Sequence, residues 1–215
     1  MRPERFHRIE AVLRRRQPDL TVLMERVNKE HNFSAILRNC DAAGVLDAHV
    51  VPPAHGLDLH HASSAGTRKW IQVQRHETVA DAVGILKKLG FRILAAHPGE
   101  ASVDYREADF TVPTAIMLGA ELHGVSTEGL ELADAHVVVP MMGMVHSLNV
   151  SVASALLLFE AMRQREAARM YERSRIPEAE FRRTLFRWAY PTLARRFDAE
   201  GEPYPLLGSD GEILG

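Results

Sequence analysis

Short apolar runs alternate along this chain with longer segments in which apolar residues recur at helical spacing. The apolar runs predict strands, and the segments with a period near 3.6 residues predict helices. Strands that alternate with helices favour an α/β fold with a mainly parallel sheet. The predicted strands are residues 20–24, 48–51, 70–73, 91–96, 115–118 and 136–139. The predicted helices are residues 3–16, 32–43, 78–89, 126–133, 148–170 and 177–190, with a polar loop at 55–68 and a Pro/Gly-rich tail from residue 195.

The longest predicted helix begins abruptly, after a strand and a turn around Gly143. From residue 150 to residue 159 it is apolar on nearly every side, which is typical of a buried helix. Its polar N-terminal flank contains His146, Ser147 and Asn149, so these residues lie where a core element meets a loop. Binding residues are often found at such positions. Asn149, and Asn32 before the second helix, are also candidate N-caps.

Length and composition are typical of a globular protein with one main core. The 215 residues can bury a sizeable core, and 46% of them are apolar and 25% charged. The single cysteine, Cys40, excludes an internal disulfide and favours a reducing compartment, so we expect a cytoplasmic protein. The N-terminal residues are rich in Arg and Glu, unlike a signal peptide, and no apolar run approaches the ~20 residues of a membrane span.

The net charge of −2 conceals opposite charges in different parts of the chain. Residues 17–159 carry 10 basic and 16 acidic side chains, whereas residues 1–16 and 160–215 together carry 16 basic and 12 acidic ones. The basic residues of the ends are arginines, which suit bidentate phosphate contacts. Arginine-rich ends on an acidic body indicate contact with a polyanion. The charge pattern alone is equally compatible with solvated helix faces that carry internal ion pairs.

The usual nucleotide-binding signatures are missing from this α/β pattern. No G-x-G-x-x-G sequence follows the first predicted strand. Gly119 and Gly124 have the spacing of a phosphate-binding loop, but Val125-Ser126 stands where Lys-Ser or Lys-Thr is required. We also expect no catalytic metal, because no cysteine or carboxylate repeats at metal-ligand spacing beside the histidines. These histidines include His55, His60 and His61.

Three segments with strand, loop and helix character carry a specific resemblance. They are His31-Asn-Phe-Ser-Ala-Ile-Leu-Arg38, Ile116-Met-Leu-Gly-Ala-Glu-Leu-His-Gly124 and residues 139–156. In this order they resemble the three motifs of the SpoU family, the 2′-O-ribose RNA methyltransferases of the SPOUT superfamily. The resemblance runs from about residue 19 to residue 165 and implies a SPOUT domain at 19–165, a basic helix at 1–18, and a helical extension with a tail at 166–215. The matched residues are Asn32, Arg38, Gly44, Gly119, Glu121, Gly124, Pro140, Ser147, Leu148 and Asn149.

The resemblance implies a fold, a cofactor and an assembly. SpoU proteins bind S-adenosylmethionine in a deep trefoil knot, a rare feature among folds, which would span roughly residues 115–158 here. They are homodimers with the active site at the interface, so Arg38 would approach a cofactor bound mainly by the other subunit. The implied cofactor-pocket residues are Leu118, Gly119, Val139, Met144 and Leu148. The implied catalytic residues are Arg38, Asn32, Glu121, Ser147 and Asn149.

The flanking segments resemble one branch of the family, whose members methylate guanosine 18 in the D-loop of tRNA. The resemblance therefore implies tRNA as the partner, with the N- and C-terminal helices as RNA-binding elements. Two alternatives stay open: the same chemistry on ribosomal RNA, and a non-catalytic RNA-binding protein on the same scaffold. The candidate RNA-binding residues are His31, Arg8, Arg14, Arg15, Arg16, Arg163, Arg165, Arg173 and Arg175.

Methyl transfer to a 2′-hydroxyl needs the oxygen, the methyl carbon and the leaving sulfur to be nearly collinear, and orientation can supply about 7–11 kcal/mol of such a barrier. The hydroxyl must also lose its proton, because a neutral alcohol is a poor nucleophile. Glu121, His146 and His31 are the titratable candidates. In the family, the residue that matches Arg38 is the one proposed to act on the hydroxyl. A guanidinium is nearly always charged, so we favour an Arg38 that binds a phosphate and lowers the pKa of the hydroxyl, with proton acceptance by Arg38 as the alternative.

Overall fold

The computed structural model describes residues 1–54 and 69–214, and these residues divide into two compact units. Residues 18–169 form the first, called the sheet unit below. Residues 1–17 together with residues 170–214 form the second, called the terminal unit. The loop expected at 55–68, with His55, His60 and His61, lies outside the described residues.

Seven parallel strands form the sheet of the sheet unit within the described residues. They are β1 (Leu20–Glu25), β2 (Asp47–Val51), β3 (Gln72–Arg75), β4 (Arg92–Ala96), β5 (Val103–Asp104), β6 (Thr114–Leu118) and β7 (Ala135–Val138). Their order across the sheet is β3-β2-β1-β6-β4-β7-β5, and every neighbouring pair is parallel. The predicted α/β fold with a mainly parallel sheet is thus confirmed. The trefoil knot expected at residues 115–158 stays a prediction.

Helices cover both faces of the sheet, as a parallel sheet requires. The helices of the sheet unit are α2 (Glu30–Ala42), α3 (Val79–Lys88), α4 (Thr127–Leu132) and α5 (Val150–Ala167), and a 3-10 turn spans Tyr105–Glu107. Because successive side chains of a strand point to opposite faces, Val22 and Met24 pack with α2 and α5, whereas Leu23 packs with α3. The carboxyl ends of β1, β6 and β7 therefore place the segments 26–29, 119–126 and 139–149 at one edge of the sheet.

Helix α5 differs from the expected fully buried helix. It begins after Asn149, whose side-chain oxygen accepts a hydrogen bond from the Ser151 amide at 2.8 Å, so the predicted cap is confirmed. The prediction of burial on all sides is wrong. Leu157 and Leu158 are buried, but Val152 is 47% exposed and Phe159 is 44% exposed. An apolar sequence shows that a face avoids water, and it does not show whether the covering surface belongs to the same chain.

Helix α2 begins two residues earlier than expected. Lys29 occupies the N-cap position, and Asn32 lies inside the first turn, so the prediction that Asn32 is a cap is wrong. The side chain of Asn32 is buried and bonds to other loops instead. Gly44 follows the helix with a φ of 81°, a left-handed conformation that glycine adopts without strain.

The observed bounds of two other elements, β3 and the helix after residue 190, differ from the predicted ones. Strand β3 lies two residues after its predicted position, because it is at the edge of the described sheet, where it pairs with β2, and is largely exposed and polar. The chain after residue 190 is helical in α7 (Pro191–Glu200), where a tail was expected from residue 195. Pro191 is favourable at the first helical position, and Gly201 ends the helix with a φ of 69°.

The terminal unit joins the two ends of the chain. Helix α1 (Pro3–Arg14) packs against α6 (Glu178–Ala189) with Phe6, Ile9 and Leu13 buried. The Tyr190 hydroxyl donates to the Gly211 carbonyl at 2.5 Å and so ties the final segment to this helical pair. The N-terminal helix and the C-terminal extension, which the sequence analysis assigned to separate segments, therefore share one core.

Candidate active site

Three polar side chains from the three matched motifs meet at the carboxyl edge of the sheet. Asn149 Nδ2 donates to Asn32 Oδ1 at 3.1 Å, and Asn32 Nδ2 donates to Glu121 Oε1 at 2.7 Å. The chain of bonds joins the start of α5 to α2 and then to the loop after β6. Because each side chain comes from a different element, the contact fixes three loops relative to one another.

Glu121 anchors this network as a hydrogen-bond acceptor. Besides Asn32, it accepts hydrogen bonds from the backbone amides of Asn28 at 3.0 Å and Lys29 at 3.1 Å. Partial burial alone would raise the pKa of Glu121, but these hydrogen bonds to the charged form outweigh it and lower the pKa below its usual value. A carboxylate that is ionised and occupied in this way is a poor general base. Glu121 thus links the loop after β6 to the start of α2.

The loop that carries Glu121 is tightly closed. The Ala120 amide donates to the Gly124 carbonyl at 3.0 Å, and the Gly124 amide donates to the Ala120 carbonyl at 2.8 Å. A Cβ atom at Gly119 would lie 1.9 Å from the Gly124 carbonyl carbon and 2.0 Å from the Val125 nitrogen. Only glycine fits there, so the backbone of residues 124 and 125 packs directly against the backbone of Gly119.

A cavity of about 510 Å³ adjoins the network. Glu121 and Asn149 line it, as do four of the five predicted cofactor residues, Leu118, Gly119, Val139 and Leu148. Met144, the fifth, is 94% exposed and is not part of the lining, whereas Met141 is.

One wall of the cavity consists of residues that were not predicted from the sequence. Ala96, His97 and Pro98, at the end of β4, and Leu157 of α5 also line it. The available signal was topological, because ligands of parallel sheets bind beyond the carboxyl ends of strands. No side-chain motif marks these positions.

The remaining predicted catalytic residues lie apart from the network. Ser147 lines the cavity, as does His146, and both are exposed. Arg38 is exposed on α2 and does not line the cavity, and its side chain forms no hydrogen bond or ion pair with another described residue. His31 is likewise exposed and outside the lining. The structure therefore brings Asn32, Glu121 and Asn149 into contact and leaves Arg38 free to reach other groups.

Two of the predicted RNA-binding arginines are structural, which corrects the sequence analysis. Arg165 is 0% exposed, and its Nη1 lies 2.5 Å from Asp19 Oδ1 while its other nitrogens donate to three backbone carbonyls. Arg16 is also buried, with its guanidinium 5.2 Å from the centre of the Trp188 ring. Neither can reach a phosphate from this position. The exposed members of the predicted set are His31, Arg8, Arg14, Arg15, Arg163, Arg173 and Arg175.

Other features of the described residues do not compete with this site. A larger cavity of about 1010 Å³ opens in the terminal unit, but it contains none of the predicted catalytic residues. No group of three possible metal ligands occurs within residues 1–54 and 69–214. In the same ranges, no helix combines the length and apolar character needed to cross a membrane.

Comparison with known proteins agrees with the motifs. The SpoU rRNA Methylase family matches residues 19–159, and the C-terminal SpoU rRNA methylase family matches residues 163–215. The chain is 51% identical to the tRNA (guanosine(18)-2′-O)-methyltransferase of Escherichia coli K12 over 215 residues, which cover 99% of this chain and 94% of that protein. It is 37% identical to a 23S rRNA (guanosine-2′-O-)-methyltransferase of Vibrio parahaemolyticus over 164 residues, which cover 75% of this chain and 66% of that protein.

Solved structures give the same result. The A. aeolicus TrmH/SpoU tRNA modifying enzyme superposes with a TM-score of 0.80 at 41% identity, covering 87% of this chain and 96% of that one. The SpoU methyltransferase AviRb from Streptomyces viridochromogenes, solved in complex with the cofactor AdoMet, gives a TM-score of 0.62 at 29% identity, covering 70% of this chain and 60% of that one. From the three motifs, the parallel sheet and these matches, we conclude that the chain belongs to the SpoU family of RNA methylases.

Proposed function

We propose that this protein transfers a methyl group from S-adenosylmethionine to the ribose 2′-hydroxyl of guanosine 18 in tRNA. The observation that carries the proposal is the hydrogen-bonded set Asn32, Glu121 and Asn149 beside a cavity at the carboxyl edge of the sheet. This set unites all three SpoU motifs in a chain that matches a guanosine-18 enzyme over nearly its whole length.

The extent of the matches favours tRNA over ribosomal RNA as the substrate. The match to the E. coli tRNA enzyme covers 94% of that protein, including the segment that corresponds to the terminal unit. The match to the Vibrio 23S rRNA enzyme covers only 66% of that protein. The proposal includes the cytoplasmic location expected from the sequence.

The cavity fits S-adenosylmethionine in size and chemistry. Its volume lies in the range of small-molecule sites. Leu118, Val139, Leu148 and Leu157 supply apolar surface for an adenine ring, and Gly119 contributes backbone to the lining. S-Adenosylmethionine bound there would supply an electrophilic methyl group on its sulfonium.

The protein's own residues hold the loops of the site in place and position the substrate. Glu121 is ionised and holds the loops after β1 and β6 together, while Asn32 and Asn149 fix the start of α5. Ser147 stands at the cavity, where its hydroxyl can orient the ribose. The positive charge of Arg38 binds the phosphate next to the target ribose and lowers the pKa of the 2′-hydroxyl. The hydroxyl oxygen would then displace S-adenosylhomocysteine from the methyl carbon and release its proton to water.

The position of Arg38 supports a homodimer with the active site at the interface. Arg38 does not line the cavity of its own chain, so in the proposal it serves the cavity of the partner subunit. The surface also carries large exposed apolar side chains, which are typical of an interface. Those on the motif loops and α5 are Leu122, Met142, Met144, Val145, Val152 and Phe159.

The exposed basic residues of the predicted set supply RNA affinity in the proposal. Each phosphate contact made by one of these side chains contributes to the salt dependence of binding, with a slope of about −0.7 to −0.9 per contact. Removal of one such contact should weaken tRNA binding and leave cofactor binding unchanged. These residues are His31, Arg8, Arg14, Arg15, Arg163, Arg173 and Arg175.

Methyl transfer from labelled S-adenosylmethionine to unmodified bulk tRNA and to ribosomal RNA tests the proposal. We expect label in tRNA alone, and none with Arg38→Ala at unchanged affinity for S-adenosylhomocysteine. Label in ribosomal RNA alone would favour the first alternative. RNA binding without any transfer would favour the non-catalytic scaffold.

A further inference from the structure

A second carboxylate lies beneath the proposed site and has no role in the mechanism above. Glu25, the last residue of β1, is 1% exposed. Its Oε2 accepts a hydrogen bond from the Ser126 amide at 2.9 Å, and its Oε1 has no hydrogen-bond partner among the described residues. Glutamate is rarely buried so completely, because removal of a carboxylate from water is costly. Such a residue is expected to serve a purpose beyond packing.

Glu25 and Glu121 join the same two chain segments, and each carboxylate belongs to one segment and accepts backbone amides from the other. Glu25 precedes the segment 26–29 and accepts the amide of Ser126, which follows the loop after β6. Glu121 lies in that loop and accepts the amides of Asn28 and Lys29. The β1–α2 and β6–α4 connections are thus held together at two points by two carboxylates.

Ser126 is adjacent in the chain to a residue that packs against Gly119, which lines the cavity. Val125, the residue before Ser126, has its nitrogen where a Cβ atom at Gly119 would otherwise stand. On the other side, a Cβ atom at Gly129 would lie 3.0 Å from Glu25 Oε2 and 2.8 Å from Val125 Cγ1. Gly129 thus packs closely against Glu25 and Val125, and the Ser126 amide bound by Glu25 directly follows the Val125 nitrogen that packs against Gly119.

We propose that Glu25 is a positioning residue that holds the loop 119–126 in the geometry required for S-adenosylmethionine binding. The inference rests on the proposed function, because it assigns the cavity to that cofactor. Glu25 does not line the cavity and acts through the Ser126 amide alone.

Calorimetric titration of S-adenosylhomocysteine into the wild type, Glu25→Ala and Glu25→Gln tests the inference. Loss of the acceptor leaves the Ser126 amide as a part-buried donor without its partner, so the affinity of Glu25→Ala should fall by about tenfold or more. Gln keeps an oxygen for the Ser126 amide, so Glu25→Gln should remain within about threefold of the wild type. In steady-state kinetics, KM for S-adenosylmethionine should rise for Glu25→Ala while KM for tRNA stays near the wild-type value.

Thr21→Val is the matched control for a general loss of stability. Thr21 is buried on the same strand, and its hydroxyl donates to the Asp47 carbonyl, away from the loop. We expect this variant to lower Tm without changing the affinity for S-adenosylhomocysteine.

Three results would overturn the inference: wild-type affinity in Glu25→Ala, equal losses in Glu25→Gln and Glu25→Ala, or an equal loss in Thr21→Val. If Glu25→Ala does not fold, the comparison of Glu25→Gln with the wild type still tests the inference. A tenfold loss of affinity for S-adenosylhomocysteine in Glu25→Gln would contradict a role through Ser126. A wild-type protein that binds no S-adenosylhomocysteine would instead refute the proposed function.

Discussion

Replacement of Arg165 by alanine should damage the fold rather than RNA binding. The guanidinium is fully buried, pairs with Asp19, and donates to the carbonyls of Phe110, Val112 and Asp19 at 2.8 to 3.1 Å. Loss of one partner of a buried ion pair costs about 3–5 kcal/mol. The carboxylate of Asp19 is partly exposed, at 17%, so water can replace part of the interaction and the lower end, about 3 kcal/mol, applies.

Urea unfolding followed by circular dichroism measures this cost. With a slope of about 2 kcal/mol per molar urea, Arg165→Ala should lower the midpoint by ~1.5 M. Arg163 is the matched control, since it lies on the same helix, is 66% exposed and pairs with Glu160 on the surface. Arg163→Ala should change stability by less than about 1 kcal/mol and should weaken tRNA binding. A stable Arg165→Ala variant with weakened tRNA binding would refute the structural assignment of this residue.

Three other perturbations have defined outcomes. Burial, together with the neighbouring His76, lowers the pKa of His49 to about 4. The free energy of unfolding should therefore be highest above pH 6.5 and should fall by up to about 3 kcal/mol as the pH drops to 4. A free energy of unfolding that does not change with pH in urea titrations would contradict this. Gly119→Ala should lower the affinity for S-adenosylhomocysteine by at least about tenfold in calorimetry, because the new Cβ atom would overlap the Gly124 carbonyl. Unchanged affinity would show that the loop can shift to accommodate the Cβ atom without a change in the cofactor site. Arg38→Lys should be nearly as inactive as Arg38→Ala in single-turnover assays at every pH, whereas recovery with lysine at alkaline pH would indicate proton acceptance.

Much of the sheet unit follows from local sequence pattern. The strands that became β1 and β6 are short apolar runs buried on both faces, and this pattern is typical of central parallel strands. The edge strand β3 was predicted two residues too early and the two-residue strand β5 was missed, because exposed or very short strands have no clear periodicity. The apolar stretch in α5 was recognised, but its exposed face depends on whether another chain covers it.

The candidate site was partly accessible from sequence. The motif resemblance pointed to Asn32, Glu121 and Asn149, and the fold brings them within hydrogen-bond distance. The burial of Arg165 could not be anticipated from charge counts, because its partner Asp19 is 146 residues away in the chain. The wall formed by Ala96 to Pro98 was missed for a related reason, since backbone and apolar contacts leave no residue signature.

The central claim is that the protein methylates one ribose hydroxyl, that of guanosine 18. The most direct measurement compares methyl transfer to a tRNA that carries guanosine at position 18 with transfer to the same tRNA that carries 2′-deoxyguanosine there. We expect one methyl group per molecule on the first tRNA, mapped to the 2′-oxygen of nucleotide 18, and none on the second. Equal transfer to both tRNAs, or transfer mapped to a base, would contradict it.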